Sequence, residues 1–193
     1  NAGLRYDRQR LPAGLPSSTH NLAPRLGLAW RPRGTAPFVL RAGIGWFYDR
    51  YPLAFLNDAI QKDGRQAFEQ YLTGEGAARA FALGRGGTLG APIPGVPPAI
   101  YRPDPDFPAT YSRKVAAGVE NSLGKNTTLN VEYSQVLGFH LPRVRNISGL
   151  PGAVYQLEQT ARSNYQGVSV SLNRRISREL SFLVAYNGGR TQD

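Results

Sequence analysis

His20 and His140 are the sequence's only imidazoles, and no cysteine accompanies them. A bound metal needs several convergent ligands, so two histidines this far apart predict no metal site and no cofactor. Ser17 and Ser18 beside His20 have the residue types of a nucleophile and its base. They sit in a Pro-bounded coil with no nucleophile elbow and no ordered acid. Glu120 and Glu132 flank a turn, as a glycosidase pair might. On alternating strands they read instead as neighbouring carboxylates balanced by Arg41. Gly84-Arg85-Gly86-Gly87 lacks the Lys-Ser/Thr ending of a phosphate loop and reads as a loop tip. The sequons Asn126-Thr127-Thr128 and Asn146-Ile147-Ser148 carry meaning only in a eukaryotic secretory protein. No catalytic residue is assigned, and the expectation is that the protein is not an enzyme.

If the residues do no chemistry, their charge and pattern carry the information. The 193 residues have a net charge of +10, with 41% hydrophobic residues. That fraction is too high for a disordered basic tail. No apolar run approaches the roughly 18 residues of a membrane helix, and missing Cys excludes a disulfide framework. The opening Asn1-Ala2-Gly3-Leu4-Arg5 reads as the interior of a longer chain. Residues 1–48 carry +6, residues 49–110 carry −1 and residues 111–193 carry +5. The basic residues are almost all Arg, scattered through alternating segments without a basic helix. Nucleic acid is therefore an unlikely partner. A soluble β-rich module engaging an anionic polymer is the alternative reading.

The alternation predicts six strands in three hairpins. Leu26, Leu28 and Trp30 lead to a turn at Pro32-Arg33-Gly34, followed by Leu40, Ala42, Ile44, Trp46 and Tyr48. Val115, Ala117 and Val119 turn at Gly124-Lys125-Asn126 into Leu129, Val131 and Tyr133. Val168, Val170 and Leu172 turn near Ser177-Arg178-Glu179 into Leu180, Phe182, Val184 and Tyr186. The strand pairs are placed at 23–48, 111–137 and 164–188, with long loops at 49–110 and 138–163, all in one partial domain over 1–193. Short helices are expected at 53–61 and 65–72. The proline-rich stretch from Pro92 to Pro108 predicts no regular structure. Alternating short turns and long loops match an antiparallel up-and-down transmembrane β-barrel segment. The ten steps from Phe38 to Tyr48, tilted by about 45°, climb about 23 Å, close to the apolar band of such barrels. Trp30, Trp46, Tyr48, Tyr133 and Tyr186 are the predicted membrane-interface aromatics.

The sequence also resembles a family. Pro24-Arg25-Leu26-Gly27-Leu28-Ala29-Trp30 and Leu40-Arg41-Ala42-Gly43-Ile44-Gly45-Trp46-Phe47-Tyr48-Asp49-Arg50 resemble a TonB-dependent receptor barrel, in particular the Oar-like receptors of Acidobacteria. The likeness continues through Asp104-Pro105-Asp106-Phe107, Gly118-Val119-Glu120 and Asn126-Thr127-Thr128-Leu129. It extends to His140-Leu141-Pro142-Arg143, Arg145-Asn146-Ile147, Tyr155-Gln156-Leu157-Glu158 and Val170-Ser171-Leu172-Asn173-Arg174-Arg175. The resemblance implies a bacterial outer-membrane transporter that takes up a large nutrient such as a metal chelate, glycan or peptide. It also implies partners: outer-membrane lipid, the remainder of the barrel and its plug, and the TonB system. Six strands are fewer than the smallest closed barrel, so a larger barrel is expected.

Two expectations follow about side chains. Leu28, Leu40, Ile44, Val131, Val170 and Phe182 should face lipid, with Arg41, Gly43, Glu120 and Asn173 opposite them. The 49–110 loop should be ordered by its own apolar residues, Phe55, Leu56, Ile60, Phe68, Tyr71 and Leu72, with a helix over the barrel mouth. On that loop Tyr51, Arg65, Tyr71, Arg79 and Tyr101 are the candidate ligand-binding residues, by stacking and hydrogen bonding.

Overall fold

The computed structural model describes residues 1–193 apart from 12–14, 16, 33–35, 66, 85–92 and 150–152, and without the side chains of 55, 83 and 84. Phe55, part of the Pro32-Arg33-Gly34 turn and part of the Gly84-Arg85-Gly86-Gly87 tip therefore lie outside the described residues. Eight strands are present: β1 (Ala2–Gln9), β2 (Ser18–Trp30), β3 (Phe38–Tyr48), β4 (Ile100–Pro103), β5 (Tyr111–Ser122), β6 (Thr127–Asn146), β7 (Val154–Arg175) and β8 (Ser181–Gln192). Two helices, α1 (Leu53–Gln61) and α2 (Gly74–Gly84), interrupt the excursion between β3 and β5.

The wall runs β1-β2-β3-β5-β6-β7-β8, each strand antiparallel to the next, and it is an open sheet. The six expected strands are all there. β1 is an addition, its Ala2, Leu4 and Tyr6 opposing Leu26, Pro24 and Leu22. β4 is another, pairing in parallel with the upper part of β7. The proline-rich stretch thus does hold a strand, short and ending on Pro103, which a sheet edge tolerates.

Register makes the two faces explicit. Leu40, Val119, Val131, Val170 and Tyr186 form one continuous cross-strand row. Ile44 opposes both Leu26 and Val115 on the same face. The other face carries Arg25, Gly43, Gly45, Gly118, Glu120, Asn130, Ser171 and Asn173, and there Arg41 pairs with Glu120 at 2.9 Å. Leu40 and Arg41 are on opposite faces, as the period-two pattern requires. Leu28, Trp30, Val184 and Tyr186 are each more than half exposed on the apolar face.

The aromatic edge of that face is oblique. Tyr186 shares a row with Leu40, Tyr133 lies one pair higher beside Ala42, and Trp46 lies six residues above Leu40. From β3 to β8 is four strand steps, about 19 Å across, against about 20 Å along the strand, so the aromatic edge crosses the strands at about 45°. That matches the strand tilt of outer-membrane barrels.

At the short-turn end, Gly124 has φ +77 and Leu123 N donates to Thr127 O at 2.8 Å. Ser177 Oγ accepts from Glu179 N and Leu180 N at 3.2 and 3.1 Å. At the opposite end, Asp49 N donates to Thr110 O at 3.0 Å, so the long excursion leaves and re-enters adjacent strands. The second long loop expected at 138–163 is mostly strand. β6 and β7 continue as a ribbon to Asn146 and from Val154, with irregular register at Gly138/Leu141 and Leu141/Pro142. Its upper half pairs charged and amide residues on both strands, so it lacks the apolar alternation that marks the lower half. Helix α1 matches 53–61, whereas no helix covers the described residues of 65–72. Glu69 bridges Ala99 there, and the Gln70 amide bonds the backbone of Ile93 and Val96.

Candidate functional site

The long-loop end is organised by a small buried cluster of Tyr51, Leu56, Ala59, Phe107, Ala109 and Leu157. Leu11 and Leu15 from the β1–β2 connection pack against it. Of the apolar residues expected to order the loop, Leu56 is buried, while Ile60 and Tyr71 are exposed. The helix supplies Leu56 and Ala59 one turn apart, and both are buried in the cluster.

Tyr51 is a correction. It is buried, its ring stacks on Phe107 at 5.4 Å, and its hydroxyl donates to Phe107 O at 2.9 Å. Burial raises its pKa. Tyr51 N donates to Gln9 Oε1 at 3.0 Å, and Gln9 Nε2 donates to Asp49 O at 2.6 Å. Tyr51 is thus a packing residue that ties the end of β1 to the base of the loop.

Two other candidates converge. Tyr101 donates to Glu69 Oε2 at 3.4 Å, and Tyr71 reaches the same oxygen at 3.5 Å. Lys62 Nζ pairs with Glu69 and, at 3.2 Å, with Asp58. It also lies 5.1 Å from the centroid of the Tyr101 ring, which stacks on Tyr155 at 4.9 Å. Hydrogen bonds to Glu69 and Asp58 raise the pKa of Lys62, and burial followed by the Glu69 charge pushes Tyr101 up to about 12. The result is an aromatic step with a fixed cation and a fixed carboxylate, suited to stacking and hydrogen bonding with a polar solute. Arg65 and Arg79 stand outside it. Arg79 pairs with Glu75 at 3.4 Å across one helical turn, and Arg65 is exposed, its amide bonded to Asp63.

A third group escaped the sequence reading. Glu158, almost wholly buried, receives Arg143 Nε and Nη2 at 3.1 and 3.0 Å on one oxygen and Arg145 Nε at 2.7 Å on the other. Thr160 and Gln156 add further bonds, and Gln156 Nε2 also donates to Asp104 at 2.9 Å. The hydrogen bond from Arg145 is the chief reason the carboxyl is held below its ordinary range. The Arg-x-Arg spacing on one strand face was the available signal.

His140 has left-handed φ (55°), and its ring meets Tyr111 edge-on with centroids 5.4 Å apart. Thr110 Oγ1 lies 2.7 Å from His140 O and 2.6 Å from Gln159 Oε1. Among the described residues no three His, Asp or Glu gather as a metal site. Of the predicted interface aromatics, Trp30, Trp46, Tyr48, Tyr133 and Tyr186 all lie on the apolar face, and Tyr48 meets Tyr111 at 5.4 Å.

Known proteins place this geometry. The fold is similar to the outer membrane transporter YddB of Escherichia coli (TM-score 0.59, 14% identity, 90% of this chain and 21% of that one). It is similar also to the siderophore receptor PirA of Pseudomonas aeruginosa (0.55, 13%, 90% and 29%). The FrpB iron transporter of Neisseria meningitidis matches over 98% of this chain and 23% of its own, at 17% identity and TM-score 0.54. The chain thus spans about a fifth to three tenths of these proteins. No curated protein matches the sequence. The bacterial outer membrane is where such a wall resides, and a soluble anion-binding module is set aside on that ground. The family model described as "Outer membrane beta barrel domain" matches residues 1–193, and the chain belongs to that family of membrane barrels.

Proposed function

We propose that this chain is part of the wall and outer loops of a TonB-dependent, Oar-like transporter that takes up a large nutrient such as a metal chelate, glycan or peptide. The observation that carries the reading is the likeness to outer-membrane transporters over about nine tenths of the chain. In this reading the apolar face meets lipid, the Trp46–Tyr133–Tyr186 line marks the outer interface, and the Gly- and Ser-rich face lines the lumen and meets the plug. TonB coupling belongs to the plug of the complete receptor. Tyr71 and Tyr101, braced by Glu69 and Lys62, form the ligand-facing step, and Arg65 and Arg79 contribute from the rim.

The test is to delete residues 74–90 in the full-length receptor and to make Tyr101→Ala separately, measuring cargo uptake and surface abundance together. Normal abundance with lost uptake supports the ligand role. Unchanged uptake in both variants removes it.

A further inference from the structure

The excursion between β3 and β5 presents one aromatic ring to solvent on an anchored stretch of backbone. Ala99 N donates to Glu69 O at 2.7 Å, and Glu69 N returns a bond to Ala99 O at 3.4 Å. The Gln70 side chain donates to Ile93 O at 3.2 Å and accepts from Ile93 N at 2.8 Å. Tyr71 follows directly and is 69% exposed. The π faces of such a ring are negative and suit the weakly positive C–H faces of a sugar. Because its backbone is already held, little ordering is left to oppose binding.

The neighbouring groups narrow the ligand. Lys62 engages Glu69 Oε1, whereas Oε2 meets the Tyr101 and Tyr71 hydroxyls at 3.4 and 3.5 Å. Those contacts are well beyond the roughly 2.7 Å of an ordinary O–H···O bond. Oε2 therefore keeps acceptor capacity for ligand hydroxyls, and the two phenols can donate or accept beside it. Asp58, Lys62 and Glu69 together carry −1, so a polyanionic metal chelate meets no excess of cations here. A cationic ligand meets Lys62 Nζ, which already lies 5.1 Å from the Tyr101 ring centroid. A peptide adding as a strand needs backbone donors on the outer edge of β4. Ile100 N and Asp104 N point the other way, bonded to Ala153 O and Leu157 O at 3.0 and 2.9 Å. Of the outward positions, Tyr101 N is bonded to Lys62 O at 2.8 Å, and Pro103 has no N–H. A neutral, hydroxyl-rich ring is the ligand that all these groups accept.

We propose that Tyr71, Glu69 and Tyr101 form a sugar subsite, in which a neutral ring of a glycan stacks on Tyr71 and directs adjacent hydroxyls at Glu69 Oε2. The proposal rests on the reading that this step faces the ligand, and it selects the glycan from the three cargo classes.

The experiment uses the full-length receptor in detergent, its fold checked by heat-modifiable gel migration. Binding is measured to immobilised neutral gluco-, manno-, xylo- and galacto-oligosaccharides, to oligogalacturonate, to a ferric catecholate chelate and to a mixture of tryptic peptides. Wild type should hold at least one neutral series in preference to the charged probes. Tyr71→Ala should weaken that binding about tenfold, and Glu69→Gln should weaken it as well. Phe81→Ala removes a ring of similar exposure on α2 (70%) and should leave it unchanged. Should Glu69→Gln disorder the loop, Tyr71→Ala decides alone. Folded wild type that holds no neutral oligosaccharide overturns the sugar subsite. Retention of the chelate or the peptides instead, weakened by Tyr71→Ala, overturns the sugar assignment and leaves the ligand-facing step intact. Binding of every probe unchanged by Tyr71→Ala overturns both.

Discussion

Glycines on the polar face are not interchangeable. A Cβ at Gly118 would stand 2.8 Å from the backbone oxygen of Val131, whereas a Cβ at Gly27 would meet nothing within 4 Å. Gly118→Ala should therefore force β5 and β6 apart and cost about 1–3 kcal/mol, while Gly27→Ala should change stability by less than about 1 kcal/mol. Urea-dependent refolding into vesicles measures both, and equal effects would refute the close approach. Glu158 gives a second residue-scale expectation. Its folded pKa is depressed, so its contribution is present above the ordinary carboxylate range and is lost as pH falls through the folded value. Amide exchange in 141–159 should accelerate on acidification more than in the wall, and Glu158→Gln should flatten that dependence. Of this, the sequence offered only the Arg-x-Arg spacing at Arg143 and Arg145, with nothing to mark Glu158 as its partner. Arg143, Arg145 and Glu158 are separated by a turn, and Arg143 stands opposite Glu158 because the ribbon returns to the register of the lower ladder after the irregularities at Gly138/Leu141 and Leu141/Pro142.

Elements differ in how openly the sequence announces them. The lower halves of β2, β3 and β5 to β8 alternate apolar and polar residues, as a wall with lipid on one side and water on the other requires. Helix α1 is equally legible, since Leu56 and Ala59 recur at helical spacing. The upper ribbon of β6 and β7 carries no such contrast, and neither does β4, whose four residues owe their conformation to the waiting edge of β7. β1 presents only three outward positions, too few to stand out. The 49–110 excursion depends on α1 for its anchorage. Leu56 is 2% exposed, and Leu56→Ala should destabilise the loop by about 2–5 kcal/mol. The expected outcome is faster tryptic cleavage at Lys62 and Arg65 with no change in the heat-modifiable migration of the barrel. Cleavage at the wild-type rate would show that other contacts hold the loop.

For the whole molecule, these 193 residues contain no cysteine, so a cysteine introduced on either face permits a direct test of facing against the receptor without it. Arg41→Cys should react with a water-soluble maleimide in the folded receptor, and Ile44→Cys should not react until the membrane is dissolved. Reversed reactivity would exchange the two faces. The oblique aromatic line has a mechanical corollary. Leu40 and Tyr186 belong to one cross-strand row, yet Leu40 lies near the short-turn rim of its strand and Tyr186 lies on the outer aromatic line of its own. The hydrogen-bonded rungs therefore run diagonally through the bilayer, linking one leaflet's boundary to the other's. A change in membrane thickness would load this lattice in shear, sliding strands past one another along their length, and two positions at equal depth would be found several residues apart in register.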